Sequence, residues 1–146
     1  MLARRAPYSH RRSSSRVLLI TQSHIYRLSS LTFTFADSKQ GKNDEAKSLY
    51  ALDAVSVEAF APPGMQQETK GLHAIKAKGE WWRANHEIHS ASVTGPWPHG
   101  NRFIVGFQYD VTNKPSGQRM KMDEVGLFTV EGGKIVREEF FYPGGM

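Results

Sequence analysis

The chain has 146 residues, enough for one domain with a substantial buried core. Its 39% hydrophobic and 23% charged residues are ordinary for a globular protein, and the absence of cysteine excludes disulfides and thiolate metal sites. No apolar run approaches the roughly 18 residues that span a membrane, so we expect no membrane partner.

The basic excess of the chain is confined to its N-terminal quarter. Residues 1–36 contain six arginines and no acidic residue, whereas the rest of the chain carries 13 basic and 14 acidic residues. A nucleic-acid-binding fold usually carries its basic patch on the folded body. We therefore expect no nucleic-acid partner for the folded body of this protein.

Residues 1–36 are interpreted as a basic, Arg/Ser-rich and disordered extension, and residues 37–146 as the folded domain. Three interpretations of the extension are open. It is a tail without function, or a mitochondrial or chloroplast transit peptide, or an arm that contacts nucleic acid or a membrane surface. Its composition predicts that folding does not need it. We expect a cytoplasmic protein, with an organelle as the alternative if the transit-peptide interpretation holds.

The first part of the domain predicts a helix, a strand and a loop. The helix covers residues 43–52, where Leu49 and Tyr50 fall on one face of a helical spacing. Residues 54–60 alternate and are rich in β-forming residues, which predicts a strand. Residues 61–70 contain two prolines and a glycine, which predicts a loop.

A second helix is predicted over residues 72–86. Leu72, Ile75 and Trp82 follow helical spacing, and Trp81 widens the apolar stripe. A helix with this aromatic face requires a sheet to cover.

The remainder of the domain predicts an antiparallel meander. Its four strands are residues 87–93, 102–112, 119–130 and 134–142. Turn sequences separate them at residues 95–101 and 113–117, and Gly132–Gly133 suits a two-residue hairpin with positive φ. The order of helices and strands indicates an α+β fold.

The late strands carry bulky apolar residues on both faces. Val125 and Leu127 alternate with Phe128 and Val130, for example. One layer of helices covers only one of these faces. The other face is expected to meet a second copy of the chain, which predicts a homodimer.

Three segments in this order resemble the SnoaL-like, ketosteroid-isomerase-like superfamily, also known as nuclear-transport-factor-two-like. Residues 49–58 are similar to its helix-to-strand signature, residues 71–75 to the start of its third helix, and residues 132–142 to its closing hairpin. The resemblance implies a cone-like, curved, mostly antiparallel sheet that is wrapped by helices around an apolar pocket. Members include isomerases, polyketide cyclases, epoxide hydrolases, dehydratases and binding modules, so the resemblance implies a fold more than a function.

The resemblance places Glu58 at the position of the isomerases' general-base carboxylate. A carboxylate at the mouth of a pocket can accept a proton from a bound substrate. The alternative is a glutamate on an edge strand that faces solvent.

The isomerases also place a protonated aspartate before the closing hairpin, where it donates a hydrogen bond to the developing oxyanion. This sequence has Gly126 at that position, and Glu124 lies two residues away on the same face and is expected to substitute. His89 is the third catalytic candidate, as an acid or hydrogen-bond donor that enters the pocket. The alternative for His89 is a residue of the rim.

The predicted substrate pocket is aromatic, with core packing as the alternative role of its members. These residues are Trp82, Phe107, Tyr109, Phe128 and Tyr142. We expect a small apolar molecule as the partner, no metal and no cofactor, and acid–base chemistry of the isomerase, cyclase or hydrolase type. The alternative function is a non-catalytic ligand-binding or dimerisation module of the same fold.

Overall fold

The computed structural model describes residues 48–143, which form one curved sheet and a helix. The elements are β1 (Tyr50–Val57), β2 (Glu68–Lys70), α1 (Leu72–Asn85), β3 (His86–His99), β4 (Arg102–Asn113), β5 (Arg119–Glu131) and β6 (Lys134–Phe141). The strand order is β2-β1-β6-β5-β4-β3. The β1–β6 pair is parallel and the other four pairs are antiparallel, which confirms the predicted α+β fold with a mostly antiparallel sheet.

The second half of the domain follows its predicted elements closely. Helix α1 matches the predicted helix over residues 72–86, and β4, β5 and β6 match the predicted strands within a few residues. Gly132 and Gly133 form the turn between β5 and β6 with φ values of 57° and 78°. Positive φ at both positions is the geometry of the predicted two-residue turn.

The predicted helix over residues 43–52 is wrong for the part that the structure describes. Tyr50–Leu52 belong to strand β1, and residues 43–47 lie outside the described residues. The Ile135 amide donates a hydrogen bond of 2.7 Å to the Leu49 carbonyl, and Tyr50 lies opposite Ile135 in the parallel pair. Pairing with a strand distant in sequence therefore outweighs the local helical spacing.

The turn predicted over residues 95–101 is much shorter in the structure. Strand β3 continues to His99, and only Gly100 and Asn101 separate it from β4. A bulge between Thr94 and Trp97 interrupts the pairing, which then resumes with Trp97 opposite Ile104. The Gly and Pro residues that indicated a turn therefore lie inside a bulged strand.

Four interruptions of register bend the sheet. One lies between β1 and β6, two between β3 and β4, and one between β5 and β6. Each adds residues to one strand without a partner on the other, so the strand bends and its twist increases. The result is the curved sheet that the family resemblance implies, with β2 and β3 as its unjoined edges.

The core lies between the inner face of the sheet and α1. Strand β4 contributes every second residue to it: Phe103, Val105, Phe107, Tyr109 and Val111 are buried. Phe128, Val130 and Ile135 continue this layer across β5 and β6, and Leu72 and Ile75 of α1 close it.

The predictions for residues 1–36, and for the start of the domain at residue 37, lie outside the described residues. Among residues 48–143, no helix has the length and apolar character needed to cross a membrane.

Replacing Phe128 by Ala should lower the free energy of unfolding by about 3–5 kcal/mol, because a fully buried ring leaves a cavity among close-packed neighbours. Phe60→Ala is the matched control, since 45% of Phe60 is exposed, and it should lower this free energy by less than about 1 kcal/mol. Denaturant unfolding measures both. Equal losses for the two variants would contradict the assignment of the core.

Candidate acid–base site

Three glutamates, two in strands and one at the end of a strand, lie on the covered face of the sheet. Glu58 directly follows β1, Glu124 belongs to β5 and Glu138 to β6. Glu124 lies opposite the buried Phe107, and Glu138 lies between Ser56 and the buried Phe128. The charges of Glu58 and Glu138 both raise the pKa of Glu124, so the three carboxyl groups lie within electrostatic range. We call them the carboxylate cluster.

Glu58 is held by a donor at each carboxylate oxygen. The Lys78 ammonium lies 2.6 Å from Oε1, and the Tyr142 hydroxyl donates to Oε2 at 3.0 Å. Burial and the nearby charge of Glu58 raise the pKa of Tyr142 to about 12. Tyr142 therefore remains a hydrogen-bond donor at every physiological pH, and Glu58 is fixed in one orientation.

Lys78 reaches the cluster from α1. Its ammonium also donates to the Ser56 hydroxyl at 2.6 Å and lies 5.6 Å from the centre of the Phe140 ring, within the range of a cation–π contact. The side chains of Lys78 and Glu58 are 28% and 27% exposed. The ion pair is thus largely withdrawn from water. The attraction between its two charges is therefore stronger than it would be on an open surface.

Glu138 is the most deeply buried member of the cluster, with 4% of its surface exposed. The Tyr50 hydroxyl donates to its Oε2 at 2.6 Å, and the Ser56 hydroxyl also hydrogen-bonds to it. Burial raises the pKa of Glu138, while the two hydrogen bonds and the charge of Lys78 oppose that change. Two donors and a nearby cation are what a buried carboxylate requires.

Glu124 differs from the other two because no hydrogen bond reaches its carboxyl group from any residue between 48 and 143. Burial raises its pKa to about 7, aided by the charge of Glu58 and opposed by Lys78. At neutral pH this group is close to half protonated, so it can give or take a proton without a large energetic penalty.

The predicted pocket aromatics form a layer beside the cluster. Trp82 stacks on His86 with 4.5 Å between ring centres and lies 5.7 Å from Tyr109. Phe107 and Phe128 meet edge to face at 6.5 Å. These contacts are those of packed core residues, and a substrate pocket at this layer stays a prediction.

Gly126, which the family resemblance aligns with the isomerases' oxyanion-binding aspartate, has neighbouring rings in the space that a side chain would occupy. A Cβ atom on Gly126 would lie 2.7 Å from Cε2 of Phe128 and 3.2 Å from Cε2 of Phe107. Glycine is therefore required by packing. Glu124 lies two residues earlier on the same face, and its substitution for that aspartate stays a prediction.

His89 does not enter the site, contrary to the prediction. It falls at a bulge between the pairs Ile88–Val111 and Ser90–Asp110, and its Nε2 lies 2.7 Å from the Thr112 hydroxyl. Val111 is buried on the inner face, so the next residue, Thr112, points to the outer face. His89 contacts Thr112 and is therefore exposed on that outer face. The bulge changes the side-chain alternation on which the prediction depended.

Lys78 and Glu138 were not predicted as site residues, although the sequence carries a signal for both. Lys78 follows Ile75 by three residues and precedes Trp82 by four, which places it on the apolar stripe of α1. Glu138 precedes Phe140 by two residues, which places it on the inner face of β6. Charged residues in apolar stripes are usually assumed to be solvated, and here they are the two that organise the site.

The cluster surrounds an ammonium group and does not have the geometry of a metal centre. Within residues 48–143, no group of three or more histidine, aspartate or glutamate residues is arranged to hold a metal ion.

Comparison with known proteins gives one family and several similar structures. A model of the SnoaL-like domain matches residues 29–142. A candidate SnoaL-like polyketide cyclase from Mesorhizobium loti shares 42% sequence identity with this chain; the match covers 81% of this chain and 98% of that one, with a TM-score of 0.67. A comparison with curated proteins finds no match.

Two more distant structures share the fold alone. A candidate isomerase from Bacillus subtilis is 17% identical, over 82% of this chain and 88% of that chain, with a TM-score of 0.68. A protein with a ketosteroid isomerase-like fold from Catenulispora acidiphila, in complex with trimethylamine, is 15% identical over 79% and 84% of the two chains, with a TM-score of 0.64.

Replacing Glu124 by Gln should stabilise the protein at about pH 8 and have little effect at about pH 5. The folded pKa of Glu124 is raised from 4.5 to about 7, so the native state binds more protons than the unfolded state between these values. Wild-type stability therefore falls as the pH rises through this window, by up to about 3 kcal/mol.

Denaturant unfolding at the two pH values measures the effect. Asp123→Asn is the matched control, because Asp123 is the exposed neighbour on the opposite face of β5. A Glu124→Gln variant with the same pH dependence as the wild type would show that Glu124 is not desolvated.

Proposed function

Because this chain belongs to the SnoaL-like domain family, we propose that it is an enzyme that catalyses proton transfer on a small apolar molecule. Glu58 is the base and Glu124 the proton donor. The observation that carries the proposal is the different environment of the two glutamates. Glu58 is ion-paired and hydrogen-bonded at both oxygens, whereas Glu124 has neither kind of partner among the described residues. Two carboxyl groups in such different surroundings take opposite roles in acid–base catalysis.

The reaction that suits this pair is the removal of a proton from a carbon next to a carbonyl group. Glu58, as the ion-paired carboxylate, accepts the C–H proton, and the protonated Glu124 donates a hydrogen bond to the carbonyl oxygen as its negative charge develops. The product is an enolate, or an enol once Glu124 passes its proton to the oxygen; if the ketone carries a β,γ double bond, return of the proton from Glu58 to the γ-carbon completes an isomerisation. Attack of the enol on a second carbonyl would give a cyclisation.

The similarity to the Mesorhizobium loti protein supports this class of chemistry. That protein is a candidate polyketide cyclase and shares 42% identity with the chain. Ring closure of a polyketide by carbon–carbon bond formation begins with loss of a proton next to a carbonyl group. The aromatic layer of Trp82, Tyr109 and Phe107 beside the cluster favours an apolar substrate. The proposed step uses side chains alone, and no cofactor enters it.

The rival function is a ligand-binding module without catalysis. It requires the aromatic layer and not the two glutamates. Catalytic turnover that depends on both carboxyl groups therefore separates the two functions.

The purified protein should catalyse exchange of α-hydrogens for deuterium in apolar ketones such as 2-tetralone and 1-indanone, followed by NMR in D₂O. Glu58→Gln and Glu124→Gln should each slow the exchange by about a hundredfold or more. Asp123→Asn, the exposed neighbour, should leave it unchanged. Because the pKa of Glu124 is raised to about 7 and its protonated form is the donor, the rate should fall as the pH rises above that value.

Binding of these ketones without exchange, or exchange that survives both glutamine variants, would favour the binding module.

We also propose that two copies of the chain pair through the outer face of the sheet. Four large apolar side chains are exposed there on adjacent strands: Trp97, Ile104, Val125 and Phe141, with exposed fractions of 55%, 38%, 39% and 54%. Trp97 lies opposite Ile104 and Val125 opposite Phe141 in the strand pairs. Exposed apolar residues on neighbouring strands are typical of a surface that another protein covers.

The wild-type protein should sediment as a dimer at about 20 µM, and Ile104→Lys together with Val125→Lys should give a monomer, since charged groups would have to be buried at the interface. Leu52→Lys is the matched control, because Leu52 is 85% exposed on β1. Analytical ultracentrifugation measures the mass. A monomeric wild type would contradict the proposal.

A further inference from the structure

The carboxylate cluster contains one member that the proposed reaction does not use. Glu138 is almost completely buried, and its hydrogen-bond partners are Tyr50 and Ser56, both on β1. Its position follows from the parallel pairing of β1 and β6, which sets Ser56 directly opposite Glu138. Burial of a carboxylate is unfavourable unless it is paired, so the arrangement requires an explanation.

The directions of the hydrogen bonds around Ser56 explain why Glu138 is buried there. Lys78 is a pure donor, so Ser56 must accept the bond from its ammonium. Ser56 therefore uses its single hydroxyl hydrogen for its hydrogen bond to the carboxylate of Glu138. A continuous chain of donors runs from Lys78 through Ser56 to Glu138.

The same ammonium donates to Glu58 at 2.6 Å. Lys78 therefore stands between two carboxylates, one reached directly and one through a fully buried hydroxyl. A flexible lysine side chain loses considerable rotamer freedom in such a position. Contact with Glu58 alone would leave the ammonium able to move towards Glu124 or into solvent.

We infer that Glu138 is a positioning residue that acts through Ser56 to hold the Lys78 ammonium against Glu58. The inference rests on the proposed role of Glu58 as the base. Tyr50 donates a hydrogen bond of 2.6 Å to Oε2 of Glu138, so the carboxylate itself is oriented. The groups that face this arrangement from neighbouring elements are Glu58 after β1 and Glu124 on β5, both acidic.

The test observes Lys78 directly, in the full chain labelled with ¹⁵N-lysine. NMR measures the rate at which the ammonium hydrogens of Lys78 exchange with water. Glu138→Gln and Ser56→Ala should each accelerate this exchange by about tenfold, as expected for loss of a charge-assisted hydrogen bond. The double variant should be no faster than either single variant, because both act on one chain of contacts.

Glu139→Gln is the matched control, since Glu139 is the next residue and bonds to Arg137 on the other face of β6, and it should change nothing at Lys78. An unchanged Lys78 in Glu138→Gln, or additive effects in the double variant, would overturn the inference. If Glu138→Gln does not fold, an unchanged exchange rate in Ser56→Ala, which removes a single oxygen, would still overturn the inference. The measurement needs no substrate, so a wild type with a protected Lys78 that exchanges no ketone hydrogens would contradict the proposed function and leave the role of Glu138 standing.

Discussion

The arrangement of the site depends on one electrostatic constraint, the burial of several acids beside an ammonium group. Lys78 is the cation whose charge acts on both Glu124 and Glu138. It contacts Glu58 directly and Glu138 through Ser56, and Glu124 is left without a donor in the described part of the chain. Because one positive charge cannot compensate three negative ones, the acid with the fewest hydrogen bonds carries the proton most readily. The distinct character of Glu124 thus follows from how the donors are distributed.

Much of this arrangement could be predicted from the sequence. The strands β4, β5 and β6 follow from alternation, and the helical stripe of α1 follows from the spacing of Leu72, Ile75 and Trp82. Resemblance to a family pointed to Glu58, and alternation from Gly126 pointed to Glu124. Lys78 and Glu138 escaped prediction because a periodic pattern shows which face a residue lies on and does not show which charges meet across that face.

The wrong predictions from the sequence share one physical cause, which is irregular pairing between strands. Alternation along a strand assigns faces correctly only until a bulge inserts an unpaired residue. His89 lies at such a bulge, and so do the Gly and Pro residues that were expected to form a turn before β4. The strand character of Tyr50 likewise depends on β6, which is distant in sequence. Local patterns contain no information about these contacts, since they form only when the sheet assembles.

The parallel contact between β1 and β6 has a further consequence for the order in which the protein matures. The hydrogen bonds from Tyr50 to Glu138 and from Tyr142 to Glu58 join residues 88 and 84 positions apart. On the ribosome, β1 must wait for the hairpin of β5 and β6 to be synthesised, and closure of so long a loop opposes their early meeting. Glu58 and Lys78, only 20 positions apart, can meet before that. The cost of loop closure therefore favours the ion pair ahead of the two tyrosine contacts, which both depend on completion of the sheet.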